Sequence, residues 1–265
     1  MPFQFAAGRW SPRDAPSDDR SRPASIRIVT WNTWFGEHKF DQRRDALLAE
    51  LARRRPDVIA LQEVTPPLLA SLLDQSWIRA AYQVSAIELG QRYDVAVLSQ
   101  LPIRSFAALE LPTTMGRKLL VAELACGLVV ATVHLESMKQ SGAARAAQLA
   151  VIQPYLAKFG DTAFVGDMNF KPDDEVETAA LDHDFVDAWP ALHPTEPGYT
   201  ADSERNAMRY ELKPTPSRKR IDRAFVHGTT WRPVAIELVG TAPIDRDGTF
   251  VSDHFGLELA LTDER

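Results

Sequence analysis

Cysteine is almost missing from these 265 residues, and the lone Cys126 builds neither a disulfide framework nor a Cys-ligated zinc site. Its isolation fits a reducing, intracellular (cytoplasmic) setting. No apolar run approaches the roughly eighteen residues of a membrane span, so no membrane role is expected. The opening residues also lack the basic start and apolar stretch of a secretory signal. Two catalytic signatures are missing as well. There is no Gly-x-Ser-x-Gly nucleophile elbow and no Gly-rich phosphate loop ending in Lys-Ser/Thr. Positive charge is not in surplus: 30 Lys+Arg against 36 Asp+Glu give −6, which argues against bulk coating of nucleic acid and leaves room for a local basic groove.

What is present is an ordinary globular composition, 45% hydrophobic and 25% charged, in a chain long enough to bury a sizeable core. Residues 1–24 stand apart. From Ser11 to Ser25 the chain is mostly Pro, Arg, Ser and Asp, so 1–24 is expected to be a flexible N-terminal segment ahead of one domain over 25–265, with docking of Phe3, Phe5 and Trp10 on the domain surface as the alternative. Beyond it, strand-like runs (26–31, 57–61, 94–99, 118–124, 128–134, 162–165, 223–226, 255–261) alternate with helical patterns over 41–54, from Pro66 onward and over 142–159. Pro154 is expected to kink or split the last of these. The runs 118–124 and 128–134 flank Ala125-Cys126-Gly127, a hairpin signal, so the sheet is not purely parallel. Sheets packed together with helices outside fit this order.

The informative pattern is what ends or opens each run. Asn32 follows Trp31, Glu63 follows Leu61-Gln62, His134 closes 128–134, and Asp167 and Asn169 follow Val165-Gly166. Asp222 opens one late strand, and Ser252-Asp253-His254 opens the last. Each residue alone reads as a turn, a cap or a surface pair. Together they line one rim of the sheets, where burying so many polar groups is costly unless they satisfy each other or a ligand.

The oxygens of Glu63, Asp253 and Asn32 are hard ligands suited to Mg²⁺ or Mn²⁺. Asp167 and Asn169, two apart, can hold and polarise a water. His134 and His254 can donate to phosphate oxygens where charge builds. Metal, oriented water and cationic donors describe phosphoester hydrolysis.

The stretches Thr30-Trp31-Asn32, Leu61-Gln62-Glu63, His134-Leu135-Glu136-Ser137, Gly166-Asp167-Met168-Asn169 and Ser252-Asp253-His254 occur in the order of the endonuclease/exonuclease/phosphatase superfamily, which the chain resembles from about Ile26 to Leu261. Within it, Arg55–Pro67, Thr132–Ser137, Val186–Trp189 and Tyr199-Thr200 are most similar to its tyrosyl-DNA phosphodiesterase type 2 branch. The resemblance implies a DNase I-like fold: an α/β/β/α four-layer sandwich with two mixed, largely antiparallel sheets. It implies Glu63 as principal metal ligand with Asn32 and Asp253 nearby, water oriented by Asp167 and Asn169, and His134 and His254 on the phosphate. Asp222 would hydrogen-bond His254, Ser137 would reach a phosphate oxygen, and Tyr93, Arg117 and Trp189 would line the substrate cleft.

The sequence departs from the family pattern at Trp34, where many relatives carry an acid, and at Lys171, where the branch has an arginine contacting substrate. Arg205–Arg223 reads as an insertion whose seven basic residues, Arg220 among them, are the candidate track for a nucleic-acid backbone.

The expectation is a monomeric Mg²⁺/Mn²⁺-dependent phosphodiesterase acting on nucleic-acid ends, DNA ends or a DNA–peptide adduct. Two alternatives stay open: a general nuclease or small-phosphoester phosphatase on the same site, and an inactive scaffold that only binds.

Overall fold

The run Ile26–Trp31 forms a strand whose two faces are both packed against apolar side chains, with only Arg27 near its start reaching solvent. Ile26 and Ile28 enter one apolar cluster while Val29 and Trp31 enter another, which is why the sequence there shows no polar alternation. In the computed structural model, which describes residues 1–13 and 22–264, this strand lies inside the larger of two main sheets.

The larger sheet comprises β1 (Phe3–Ala6), β2 (Arg9–Pro12), β3 (Ser25–Asn32), β4 (Val58–Val64), β5 (Gln83–Val84), β6 (Asp94–Ser99), β15 (Trp231–Val239) and β16 (Gly256–Asp263). Its order is β15-β16-β3-β4-β6-β5-β1-β2. The second sheet comprises β7 (Ile103–Glu110), β8 (Lys118–Leu124), β9 (Leu128–His134), β10 (Asp161–Asp167), β11 (Val186–Asp187) and β14 (Asp222–His227), ordered β11-β14-β10-β9-β8-β7. A ribbon of β12 (Ala201–Asp202) and β13 (Arg218–Lys219) stands apart. The helices are α1 (Phe40–Arg54), α2 (Pro66–Asp74), α3 (Ser76–Ala81), α4 (Gly142–Leu156), α5 (Glu175–Thr178), α6 (Ala188–Leu192) and α7 (Ala207–Leu212).

Three apolar clusters define the layers. Ile28, Ala60 and Val97 of the larger sheet meet Ala122, Val130, Val165 and Ala224 of the second in one core. Leu47 and Leu51 of α1, with Leu69 and Leu72 of α2, cover the outer face of the larger sheet. Leu149, Ile152 and Leu156 of α4 cover the outer face of the second. The result is helix, sheet, sheet, helix, the architecture expected. Each main sheet holds one parallel pair, β3 with β4 and β9 with β10, and every other pairing is antiparallel. Each parallel pair is joined by a crossover helix, α1 or α4.

Two expectations are corrected. Residues 1–24 are not flexible from end to end: β1 and β2 form a hairpin that extends the larger sheet through β5. Phe5 and Trp10 pack edge to face at 5.5 Å, and Trp10 Nε1 donates to Leu73 O, so the early aromatics bury enough surface to order the segment. Arg22 is tied to Cys126 O and Asp263, while residues 14–21 lie outside the described residues. Nor is α4 split at Pro154: the carbonyl that its missing N–H leaves without a helical donor is that of Ala150, an exposed residue. Among the described residues no helix is long and apolar enough to cross a membrane.

Candidate active site

The carboxyl ends of the two parallel pairs meet at one rim. On β3 and β4, Asn32 lies opposite Gln62, one residue before Glu63; on β9 and β10, His134 lies opposite Asp167. Asp167 is in turn opposite Asp222 at the start of β14. Strand ends of this kind leave side chains facing the crevice beyond the sheet. Gly166 makes the approach possible: with φ at 141°, a Cβ there would lie 2.2 Å from Val133 O. Gln62 stitches the sheets below the site, donating to Thr30 Oγ1 and to Thr132 Oγ1.

Asn32 links the halves. Its Nδ2 donates to Glu63 Oε1 at 3.0 Å and to Asp167 Oδ2 at 2.9 Å, while its Oδ1 accepts from Trp34 N. The amide thus presents its donors to the carboxylates, while its oxygen, which has two lone pairs, accepts one backbone N–H. Glu63 Oε2 accepts from Phe35 N at 2.9 Å. Ligand atoms of Glu63, His134 and Asp167 lie within 4.8 Å of one another, as do those of Asp167, Asp222 and His254.

Arg117 Nη1 donates to His134 Nδ1 at 3.0 Å, and His134 Nε2 lies 3.4 Å from Arg117 Nη2 and 3.5 Å from Asp167 Oδ2. Arg117 Nη2 reaches Ser137 Oγ at 2.9 Å, and Asn169 Nδ2 donates to Leu135 O and Ser137 Oγ. The Tyr93 ring lies under the Arg117 guanidinium and stacks on Phe35 at 4.6 Å. His254 Nδ1 is 2.8 Å from Asp222 Oδ2.

Burial and charge set the protonation states. Burial pushes the Glu63 carboxyl up. Burial, with Asp222 behind it, raises Asp167 to about 7. Burial holds His134 well below the usual imidazole range, with Arg117 and His254 adding to the effect. Burial alone would lower His254 too, yet Asp222, Asp253 and Asp167 outweigh it and push it up to about 10. The backbone is strained at this rim: Trp34, Glu63, Met138 and Asn169 all have positive φ, between 55° and 76°.

The oxygen-rich donor set fits a hard divalent cation. The half-buried Glu63 and the buried Asp167, both of raised pKa, face each other across an amide, and among the described residues Asp222 Oδ1 is buried without a hydrogen-bond partner.

Several expected residues have side chains that are engaged by partners outside this cluster. Asp253 Oδ2 pairs with Arg209 Nη1 at 2.7 Å, because α7 docks on its loop: Met208 packs with Phe250 and Phe255, and Asn206 Nδ2 donates to Ser252 O. Lys171 is turned to Asp173. Arg220 and Arg223 share Asp187. Trp189 is buried in the core between the sheets and walls a separate cavity of about 350 Å³ with His193, Tyr199 and Arg218.

Two contributors escape a sequence reading. Phe35 acts through its N–H, which no side-chain pattern reveals. Arg43 donates to Thr33 O, Trp34 O, Gly36 O and Val251 O, holding the loops beside Glu63 and Asp253. Its signal is an arginine on the apolar stripe of α1, spaced with Leu47 and Leu51.

A match to the Endonuclease/Exonuclease/phosphatase family spans residues 29–254. The chain belongs to that family. It is 30% identical over 266 residues to tyrosyl-DNA phosphodiesterase 2 of Mus musculus, covering 95% of this chain and 69% of the relative. The Homo sapiens protein of that name is 29% identical over 263 residues, covering 92% and 70%. The crystal structure of D. rerio TDP2 complexed with single strand DNA product is similar with a TM-score of 0.80 at 25% identity, covering 91% of this chain and 100% of that one. The rim described above falls inside the family match, which runs from Val29 to His254.

Proposed function

We propose that residues 25–265 form a Mg²⁺- or Mn²⁺-dependent phosphodiesterase domain that hydrolyses phosphoester bonds at nucleic-acid ends, with a 5′-phosphotyrosyl bond on DNA as the first substrate to test. One observation carries the reading. Acids, amide and histidines from both sheets share a single hydrogen-bonded rim, with Asn32 bridging Glu63 and Asp167. The similarity to proteins named tyrosyl-DNA phosphodiesterase 2 selects the substrate class.

Glu63, with Asn32 and Asp253 nearby, would hold the cation, which supplies Lewis-acid stabilisation of the phosphate charge when bound. Asp167, raised toward neutrality by burial, takes the proton of the attacking water, and Asn169, whose N–H is bonded to Asp167 Oδ1, orients that water. His254, kept charged by Asp222, and Arg117, without a carboxylate in ion-pair range among the described residues, donate to the phosphate oxygens. Ser137 adds a neutral donor beside them.

The nucleic-acid strand would run over α7 and β13. Most arginines of that stretch are neutralised within the protein, whereas Lys213 and Lys219 have no ion pair among the described residues. Burial and the like charges of Arg209, Lys213 and Lys171 hold Lys219 below its ordinary value, so a phosphate is favoured there.

Glu63→Ala and Asp167→Ala should each lower turnover of 5′-phosphotyrosyl DNA by about 10³-fold or more while leaving the far-UV spectrum native. Full activity in either variant rules the assignment out. Parallel assays on single-stranded DNA, poly(A) and small phosphate esters decide among end-processing, general nuclease and phosphatase activity.

A further inference from the structure

Glu136 lies inside the stretch that supplies His134 and Ser137, yet it faces none of the groups above. Its residue is 2% exposed, and among the described residues it has no ion pair. Its oxygens collect donors instead. Oε1 accepts from Thr114 N at 2.9 Å and from Thr114 Oγ1; Oε2 accepts from Thr113 Oγ1 at 2.6 Å and from Gln148 Nε2 at 3.4 Å.

The Thr113 hydroxyl passes this anchorage onward. Its oxygen accepts from Met115 N at 3.0 Å and from Arg117 N at 3.1 Å. A hydroxyl has one hydrogen to give and two lone pairs to offer, so all three of its bonds are committed. Gln148 closes the other side, accepting from Glu136 N and donating to Pro112 O. Between Leu111 and Arg117 every residue is at least partly exposed, so packing does not hold this loop in place. Hydrogen bonds to one buried carboxylate hold it. At its end the buried Arg117 guanidinium is delivered to His134 and Ser137.

We infer that Glu136 is the positioning residue for Arg117: through Thr113 and Thr114 it sets the 111–117 loop, and so the place where the guanidinium meets the scissile phosphate. This rests on the hydrolytic reading of the rim given above. The carboxylate is required for a chemical reason. An amide offers one acceptor and one donor, and both oxygens of Glu136 face hydrogens. Whichever way a glutamine turns, its NH₂ meets either the Thr114 N–H or the committed Thr113 O–H, and one donor is left unpaired.

The test is a double-mutant cycle with Glu136→Gln, Arg117→Ala and the pair, beside Thr113→Val, which severs the link to Arg117 N while leaving Glu136 in place. Three quantities are read: kcat and KM on a phosphodiester, the Kd of a 5′-phosphorylated oligonucleotide, and the melting temperature. Glu136→Gln should lower kcat/KM by about 10²-fold, the penalty of a displaced contact, and weaken oligonucleotide binding in parallel with Arg117→Ala. Thr113→Val should act in the same direction with a smaller loss. In the Arg117→Ala background Glu136→Gln should change kcat/KM less than about twofold, although the losses in melting temperature still add. Multiplying kinetic losses sink the proposal alone, since Glu136 then acts elsewhere; so does a Glu136→Gln enzyme with normal kinetics. An Arg117→Ala enzyme of unchanged turnover removes Arg117 from the site, and the proposal falls with that assignment. The hydrolytic reading is checked separately by Glu63→Ala.

Discussion

The two crossover units, β3–α1–β4 and β9–α4–β10, repeat one plan with different electrostatics. Each joins parallel strands through a helix of 15 residues, and each ends in residues of the rim. Each also has a buried arginine at the fourth position of its helix, Arg43 or Arg145, turned back under the preceding loop. Arg43 Nη2 donates to Trp34 O at 2.7 Å, and Arg145 Nη1 donates to Met138 O at 2.7 Å; Trp34 and Met138 both have positive φ, as does Lys39 in the first of these loops. The units differ in what neutralises the charge. Arg145 pairs with Glu177 of α5 at 2.6 Å, both side chains buried. Arg43 has carbonyls and the Trp34 ring but no carboxylate in ion-pair range among the described residues; burial lowers it to about 10 against the pull of Asp253 and Glu63. An unneutralised arginine is tolerated where the rim is acidic. Where the rim already carries Arg117, the buried charge is cancelled locally.

Removing each arginine tests that contrast. Arg145→Met strands a buried Glu177 carboxylate and should cost about 3–5 kcal/mol in denaturant unfolding, with much of the loss recovered in Arg145→Met/Glu177→Met. Arg43→Met strands only carbonyls, several of them reached by water, and should cost about 1–3 kcal/mol. Equal losses would mean that Glu177 contributes nothing specific and that the two arginines are equivalent struts.

These units are also the part of the molecule most legible in the sequence. Their strands are apolar on both faces, so a polar residue at the end of each run stands out: Asn32, Glu63, His134 and Asp167 all do. Edge strands carry no such contrast. β7 mixes Arg104, Ser105 and Glu110 into its apolar positions, and β15 shifts register between Pro233 and Ala235, so neither reads as a strand. Side-chain direction is the other hidden quantity. Arg209, Arg220 and Arg223 look like free cations in sequence, yet Asp253 and Asp187, distant in the chain, absorb them. Trp189, expected to line the substrate cleft, belongs to the core between the sheets and walls a pocket with Tyr199 and Arg218.

The smallest effect belongs to Pro154, which aligns with Ala52 when the two helices are superposed on their arginines. In a helix interior a proline costs about 3 kcal/mol or more. Here the carbonyl it leaves without a helical donor is that of Ala150, an exposed residue to which water has access. The ring also restricts the unfolded chain, a stabilisation of about 0.4–1 kcal/mol that offsets the lost bond. Pro154→Ala should therefore shift stability by less than about 1 kcal/mol in either direction. A gain near 3 kcal/mol would show that Pro154 strains α4 as an interior proline does, and the likeness between the two crossover helices would then end before their last turn.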